Sequence, residues 1–142
     1  MRINSFSFGL PLILLLAVLG AEGDDCTTLV SHSCNTASYQ PNSPLQSSLT
    51  AIITGLEQNT LSDGHFDGWN DKTTYYNQIA NTNEFPAAYG QGVCERFGLG
   101  ECTFCLTTLA NCISNACGPT VGAWAQANDK YCFMRYETYK FY

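Results

Sequence analysis

Positive charge is scarce in this chain: six Lys and Arg stand against twelve Asp and Glu in 142 residues, a formal net charge of −6. Lys72, Arg96, Lys130, Arg135 and Lys140 are scattered, so no basic stripe exists for phosphate backbones or anionic headgroups. That excludes nucleic acid and direct electrostatic attack on membranes. Histidine is nearly absent, with His32 and His65 far apart. Zinc would need Cys or His in two converging pairs, and no nucleophile motif surrounds either histidine. Asp63 to Gly68 superficially resembles a calcium loop, but its third position is His65 and its twelfth Thr74, where a bidentate Glu belongs. It reads as a solvated acidic turn. There is no Asn-x-Ser/Thr sequon and no internal repeat. These absences leave no enzyme, metal or cofactor chemistry to build on.

Cysteine is what the chain has in excess. Eight are present, five of them between Cys94 and Cys117. They stand behind a hydrophobic leader: Met1-Arg2 gives a positive start, Phe6 to Leu19 is apolar apart from Ser7, and small residues follow at Gly20, Ala21 and Gly23. This is the pattern of a signal peptide, residues 1–23, with cleavage expected after Gly23 and, as the second choice, after Gly20. The run is shorter than the ~20 apolar residues of a membrane span, and nothing downstream is hydrophobic enough to be a transmembrane anchor. Secretion into an oxidising space makes the cysteines crosslinks rather than metal ligands or catalysts. Cys102-x2-Cys105 alone would suggest a redox pair, but such motifs open a helix in a βαβ context without a crowd of other cysteines. Residues 24–142, about 119 residues, are enough for one domain with a real core.

Two segments carry helical signals. Ser43 is an N-cap, Pro44 takes the first helical position, and Gln46 is placed for a capping box. Leu45, Leu49, Ile52, Ile53 and Leu56 then recur as one apolar stripe. A second helix runs from about Cys102 to Ala116, with Cys105, Leu109, Cys112 and Ala116 on one face and Gly118-Pro119 as its stop. Thr27 to Ser31, roughly Ala87 to Val93, Val121 to Ala127 and Tyr131 to Tyr139 read as strands, with Asn128-Asp129 as a hairpin turn. Residues 61 to 85 show no period and are expected to be mostly loop. The order is α+β, with the helices on one face of an antiparallel sheet.

The order Ser33-Cys34-Asn35-Thr36, Ala88-Tyr89-Gly90 before Cys94, Cys102-Thr103-Phe104-Cys105-Leu106, Cys117, and Cys132-Phe133-Met134-Arg135-Tyr136-Glu137 resembles the ginkbilobin family. This is the plant salt-stress/antifungal domain, which also forms the extracellular part of cysteine-rich receptor-like kinases. The resemblance covers nearly the whole chain after the leader. It implies two helices on an antiparallel sheet of about five strands, and the pairs Cys34–Cys117, Cys94–Cys102 and Cys105–Cys132. Spacing alone leaves the pairing open. The extra Cys26 and Cys112 have no counterpart in the family's six and are left to pair with each other.

Two departures stand out. Cys94 and Cys102 enclose seven residues, Glu95 to Glu101, where the family has eight; Gly98 and Gly100 suit a tighter turn. The second concerns the family's mannose site, an Asn, an Arg and a Glu. Asn35 and Glu137 match the first and third, but Trp124 stands where the Arg would fall. An indole cannot reproduce a planar fork of donors, though it can stack on a sugar ring. Alternation along a strand puts Gln126 on the face of Trp124, and Arg135 on the face of Glu137.

The resemblance therefore implies a secreted, apoplastic, monomeric plant defence protein with antifungal, lectin-type activity, binding cell-wall mannose-type glycan through Asn35, Trp124 and Glu137. The alternative is an extracellular protein-interaction module whose sugar site has been lost with the Arg; Phe66, Trp69, Tyr75 and Tyr76 would then contribute exposed aromatic surface.

Overall fold

The computed structural model describes residues 30–68, 71–95, 98–127 and 132–142. The leader, Cys26 and the Asn128-Asp129 turn lie outside the described residues. Six strands form one antiparallel sheet: β1 (Val30–Cys34), β2 (His65–Asp67), β3 (Lys72–Ile79), β4 (Ala88–Glu95), β5 (Ala123–Ala127) and β6 (Cys132–Glu137). Their spatial order is β1-β5-β6-β4-β3-β2. Helix α1 (Pro44–Asn59) packs on β3 and β4, and α2 (Leu99–Cys117) on β5, β6 and β1. This is the expected α+β architecture, with two helices over an antiparallel sheet.

Helix α1 starts as its capping residues dictate. The Ser43 side chain accepts the Gln46 N–H, and Pro44 occupies the first turn. Gln46 turns its own oxygen to the Asn42 N–H rather than to Ser43, so the box closes one residue early. The stripe Leu49, Ile52 and Leu56 is fully buried. Helix α2 begins earlier than expected, at Leu99, because Glu101 reaches back to the Gly98 N–H and supplies a start signal upstream of the cysteines. It buries Leu106, Leu109 and Ile113 together with its cysteines.

Residues 61 to 85 were expected to be loop, and the structure corrects this: β2 and all of β3 lie there. The cause is compositional. Thr73 and Tyr75 face the helices and Thr74 and Tyr76 face away, so both faces of β3 carry the same residue types and no period-two contrast in hydropathy arises. β1 runs Val30–Cys34; the start expected at Thr27 lies outside the described residues.

Three disulfides join α2 to three different strands: Cys94–Cys102 to the end of β4, Cys105–Cys132 to the start of β6, and Cys34–Cys117 to the end of β1. Cys112 is buried on the same helix and is also disulfide-bonded.

Gly90 lets α1 approach β4. A Cβ there would fall on Ile52 Cγ2 and 3.0 Å from Leu56 Cδ1, both in the buried stripe. Gly90→Ala should therefore destabilise the protein by about 1–3 kcal/mol, visible as a lower thermal midpoint with all disulfides intact. A second expectation concerns pH. Burial raises Glu57 above its ordinary 4.5, offset in part by a hydrogen bond with Thr107 of α2. A carboxyl whose folded value is raised favours folding most below about pH 4.5, and that contribution is lost as pH rises through the folded value. Glu57→Gln should flatten this decline in stability in denaturant titrations that start below pH 4.5 and rise towards neutrality.

Candidate functional site on the open face of the sheet

The helices cover one face of the sheet and leave the other open. On β6, Cys132, Met134 and Tyr136 point into the core, so Phe133, Arg135 and Glu137 belong to the open face. Burial, then the neighbouring Tyr39 and Glu137, raise the Tyr136 phenol above its ordinary 10.0, which keeps it neutral against the core. On β5 the buried Ala123, Ala125 and Ala127 leave Trp124 and Gln126 outward. Arg135 is the cross-strand partner of Trp124, and Phe133 that of Gln126. Short alanines inward let α2 lie close on β5, and the large side chains are left on the open face.

Asn35 and Glu137 meet around Gly122. The Asn35 N–H donates to the Gly122 carbonyl at 2.8 Å, and the Glu137 carboxylate lies against the Gly122 Cα, where a Cβ would fall on Oε2 and 2.8 Å from Cδ. Thr120, fully buried, knits this corner together. Its Oγ1 lies 2.8 Å from the Asn35 carbonyl and 2.8 Å from the Gly122 carbonyl, and its single proton can serve one at a time. Asn35 Oδ1 accepts the Ala37 N–H at 3.0 Å, which leaves the amide nitrogen as the group this exposed side chain offers outward.

Glu137 is only 7 % exposed. Its Oε1 accepts from Arg135 Nε and Nη2, each at 3.3 Å, while Oε2 has no hydrogen-bond partner among the described residues. Arg135 also donates to Tyr139 Oη at 3.2 Å, and its guanidinium lies 4.2 Å from the centre of the Phe141 ring. The site thus holds a guanidinium, brought from β6 rather than from the β5 position that Trp124 fills. The Trp124 indole leans the other way: it stacks with Phe133 at 6.3 Å between ring centres, on the side of Arg135 opposite Glu137.

The structure therefore groups Asn35, Gly122, Arg135 and Glu137, with Trp124 opposite Arg135 on β5 and turned towards Phe133. Thr120 and Gly122 were missed by sequence reasoning. The available signal was the Gly-Pro-Thr-Val-Gly run ahead of an alternating strand, which reads as a connection and nothing more. His32 and His65 are not brought together with any acidic or cysteine cluster; among the described residues no group of metal-ligating side chains forms. Phe66 and Tyr76 are exposed, whereas Tyr75 is half-buried against the core. Trp69 lies outside the described residues.

Gly122→Ala should displace the carboxylate and cost about 1–3 kcal/mol, because the added methyl meets Glu137 and the Tyr136 carbonyl at 3.2 Å. Pairing it with Glu137→Gly, which removes the obstructing side chain, should recover most of that loss in a denaturation double-mutant cycle. Additive losses would mean that the two residues do not press on one another.

Comparison with known proteins agrees with this fold and cysteine framework. The profile of a family described as salt stress response/antifungal matches residues 32–139. The chain is 36% identical over 141 residues to the antifungal protein ginkbilobin-like protein 1 of Picea sitchensis, covering 98% of each. It is 35% identical over 142 residues to the antifungal protein ginkbilobin-2 of Ginkgo biloba, covering 99% of this chain and 98% of that one. Among solved structures, the tandem DUF26 ectodomain of the Arabidopsis thaliana cysteine-rich receptor-like protein PDLP8 superposes with a TM-score of 0.64 at 22% identity, over 80% of this chain. This chain spans 50% of that tandem ectodomain, and at that identity the likeness speaks for the fold alone. With the profile running from β1 to beyond β6 and relatives matched end to end, the chain belongs to the salt stress response/antifungal family of ginkbilobin-like proteins.

Proposed function

We propose that this chain is a secreted plant defence protein with antifungal activity, exported by removal of residues 1–23 and folded as residues 24–142. Its glycan site is the corner built by Asn35, Arg135 and Glu137, with Trp124 at its margin, and its ligand class is mannose-type cell-wall glycan. Two supports come from the comparisons: the family, and relatives of equal length that are named antifungal proteins. The leader supports export, and among the described residues no helix is long and apolar enough to cross a membrane.

One observation carries the glycan reading. Glu137 is a buried carboxylate with one oxygen paired to Arg135 and the other, itself buried, without a donor among the described residues, at a corner where Asn35 presents an exposed amide. Vicinal sugar hydroxyls both donate and accept, and an amide, a guanidinium and a carboxylate together answer both needs. The guanidinium from Arg135 compensates in kind for the Trp at position 124.

A second reading, a protein-binding module, is favoured by the aromatic surface on the open face. Tyr76 and Tyr142 are exposed and their rings lie 4.5 Å apart, with Tyr89 and Phe141 beside them. Aromatic residues of this kind anchor protein interfaces.

Calorimetric titration of the oxidised mature protein with mannose and yeast mannan separates the two. The glycan reading expects saturable binding, weakened about tenfold or more by Glu137→Gln, as for the loss of a charged hydrogen bond. A folded protein that binds neither ligand sinks that reading and leaves the protein-binding one.

A further inference from the structure

Helix α1 has an unusual solvent face. Surface helices normally carry charges opposite their apolar stripe, yet in the 16 residues Pro44–Asn59 the one charged side chain is Glu57. That side chain is turned towards Thr107 of α2. Apart from Pro44 and Ala51, the remaining outward positions are mostly amides and hydroxyls. Gln46, Thr50, Thr54 and Gln58 follow one another at intervals of four, which sets them about 6 Å apart along one row of the helix. They line one side of a shallow, open groove of about 760 Å³ whose other side is formed by Tyr75 and Asn77 of β3. Asn77 reaches its wall position because residue 55 is glycine: a Cβ there would fall on Asn77 Nδ2. No lining residue of the groove is charged, in a chain of net charge −6.

We propose that this groove is a second binding site, for an uncharged oligosaccharide lying along α1. It goes beyond the corner at Gly122 and does not depend on it, since the groove is on the helix side of the sheet and that corner on the open side. Three features select the ligand. Neutral amides and hydroxyls both donate and accept, as sugar hydroxyls do, and make no demand for a charged partner. The row repeats at a spacing close to that of successive rings in an extended glycan and runs about 18 Å from Gln46 to Gln58, long enough for several units. The half-buried Tyr75 ring, held against the core, offers a flat face for a pyranose. A peptide partner would call for an apolar pocket to take an anchoring side chain; here the apolar surface is that ring and Ala51. Uronic-acid polymers and amino-sugar cations would find no counter-charge.

The test is a nitrogen-15 NMR titration of the oxidised protein with mannohexaose, laminarihexaose and cellohexaose, with hexagalacturonate as the charged comparison. At least one neutral hexaose should shift the amides of Thr50, Thr54 and Asn77 saturably, and should bind more tightly than its disaccharide. Thr50→Glu combined with Gln58→Ala, both at exposed positions, should weaken it about tenfold or more at unchanged melting temperature. Glu137→Gln should leave those shifts unaltered, which separates this site from the one around Gly122. The proposal is overturned if none of the three hexaoses binds, if shifts are confined to the Gly122 corner, if hexagalacturonate binds as well as the neutral sugars, or if the double variant binds as wild type.

Discussion

The anchoring of α2 is the constraint on which the rest depends. One helix is bonded to β4 at Cys102, to β6 at Cys105 and to β1 at Cys117, so it holds strands from both halves of the sheet in one register. On the chain-entropy view the Cys34–Cys117 bond, with a separation of 83 residues, contributes about 4.5 kcal/mol, the Cys105–Cys132 bond about 3.5 and the short Cys94–Cys102 bond nearer ~2.5. The three loops overlap, so these do not simply add. The longest bond also does local work. Cys34 precedes Asn35, and Cys117 leads through Gly118, at positive φ, into Thr120 and Gly122. The bond thereby fixes both backbones of the corner that Glu137 completes.

From that corner the open face runs towards β3, and the C-terminal segment lies across it. Tyr142 packs on Tyr76 and Tyr89 and donates to the Asn77 carbonyl, while Phe141 and Tyr139 hold the Arg135 guanidinium. Arg135 is therefore held by three partners: a carboxylate, a phenol and a ring. A guanidinium fixed in this way keeps its planar fork oriented at little further entropic cost. Asn77 is the point where the two faces touch, its carbonyl bound to the tail and its side chain lining the groove beside α1.

Much of this was legible in the sequence because its signals were strong and local. Ser43-Pro44 with the Leu49, Ile52, Leu56 stripe specifies α1, and the cysteine series specifies both the second helix and the family. Strand β3 was not legible, since Thr and Tyr alternate with Thr and Tyr and both faces are half-wet. Asn35 and Glu137 could be named because the family resemblance implies them, one directly after Cys34 and the other five positions after Cys132. Their meeting point could not, because Gly122 owes its importance to a carboxylate fifteen positions away, and a glycine after a helix stop signals a turn whatever lies beside it. Arg135 was legible on the face of Glu137 from strand alternation, whereas its pairing with that carboxylate was not.

The Glu137 carboxylate gives the clearest indication of why this corner is built as it is. A buried acceptor without a donor costs about 1–3 kcal/mol, and more when charged, so a site selected for stability alone would fill Oε2 with a protein donor. Here residue 122 is a glycine, which makes room: a Cβ there would fall on Oε2. Ser or Thr at that position would bring a hydroxyl but also a Cβ, and the Cβ cannot fit. The glycine makes room for the carboxylate, whose second oxygen has no donor among the described residues, while Arg135 pairs with the first. Such an arrangement is stable only on a scaffold that cannot relax around it, which the bonded α2 supplies. The rigidity of the helix and the unmet acceptor of the corner are two parts of one design, the first permitting the second.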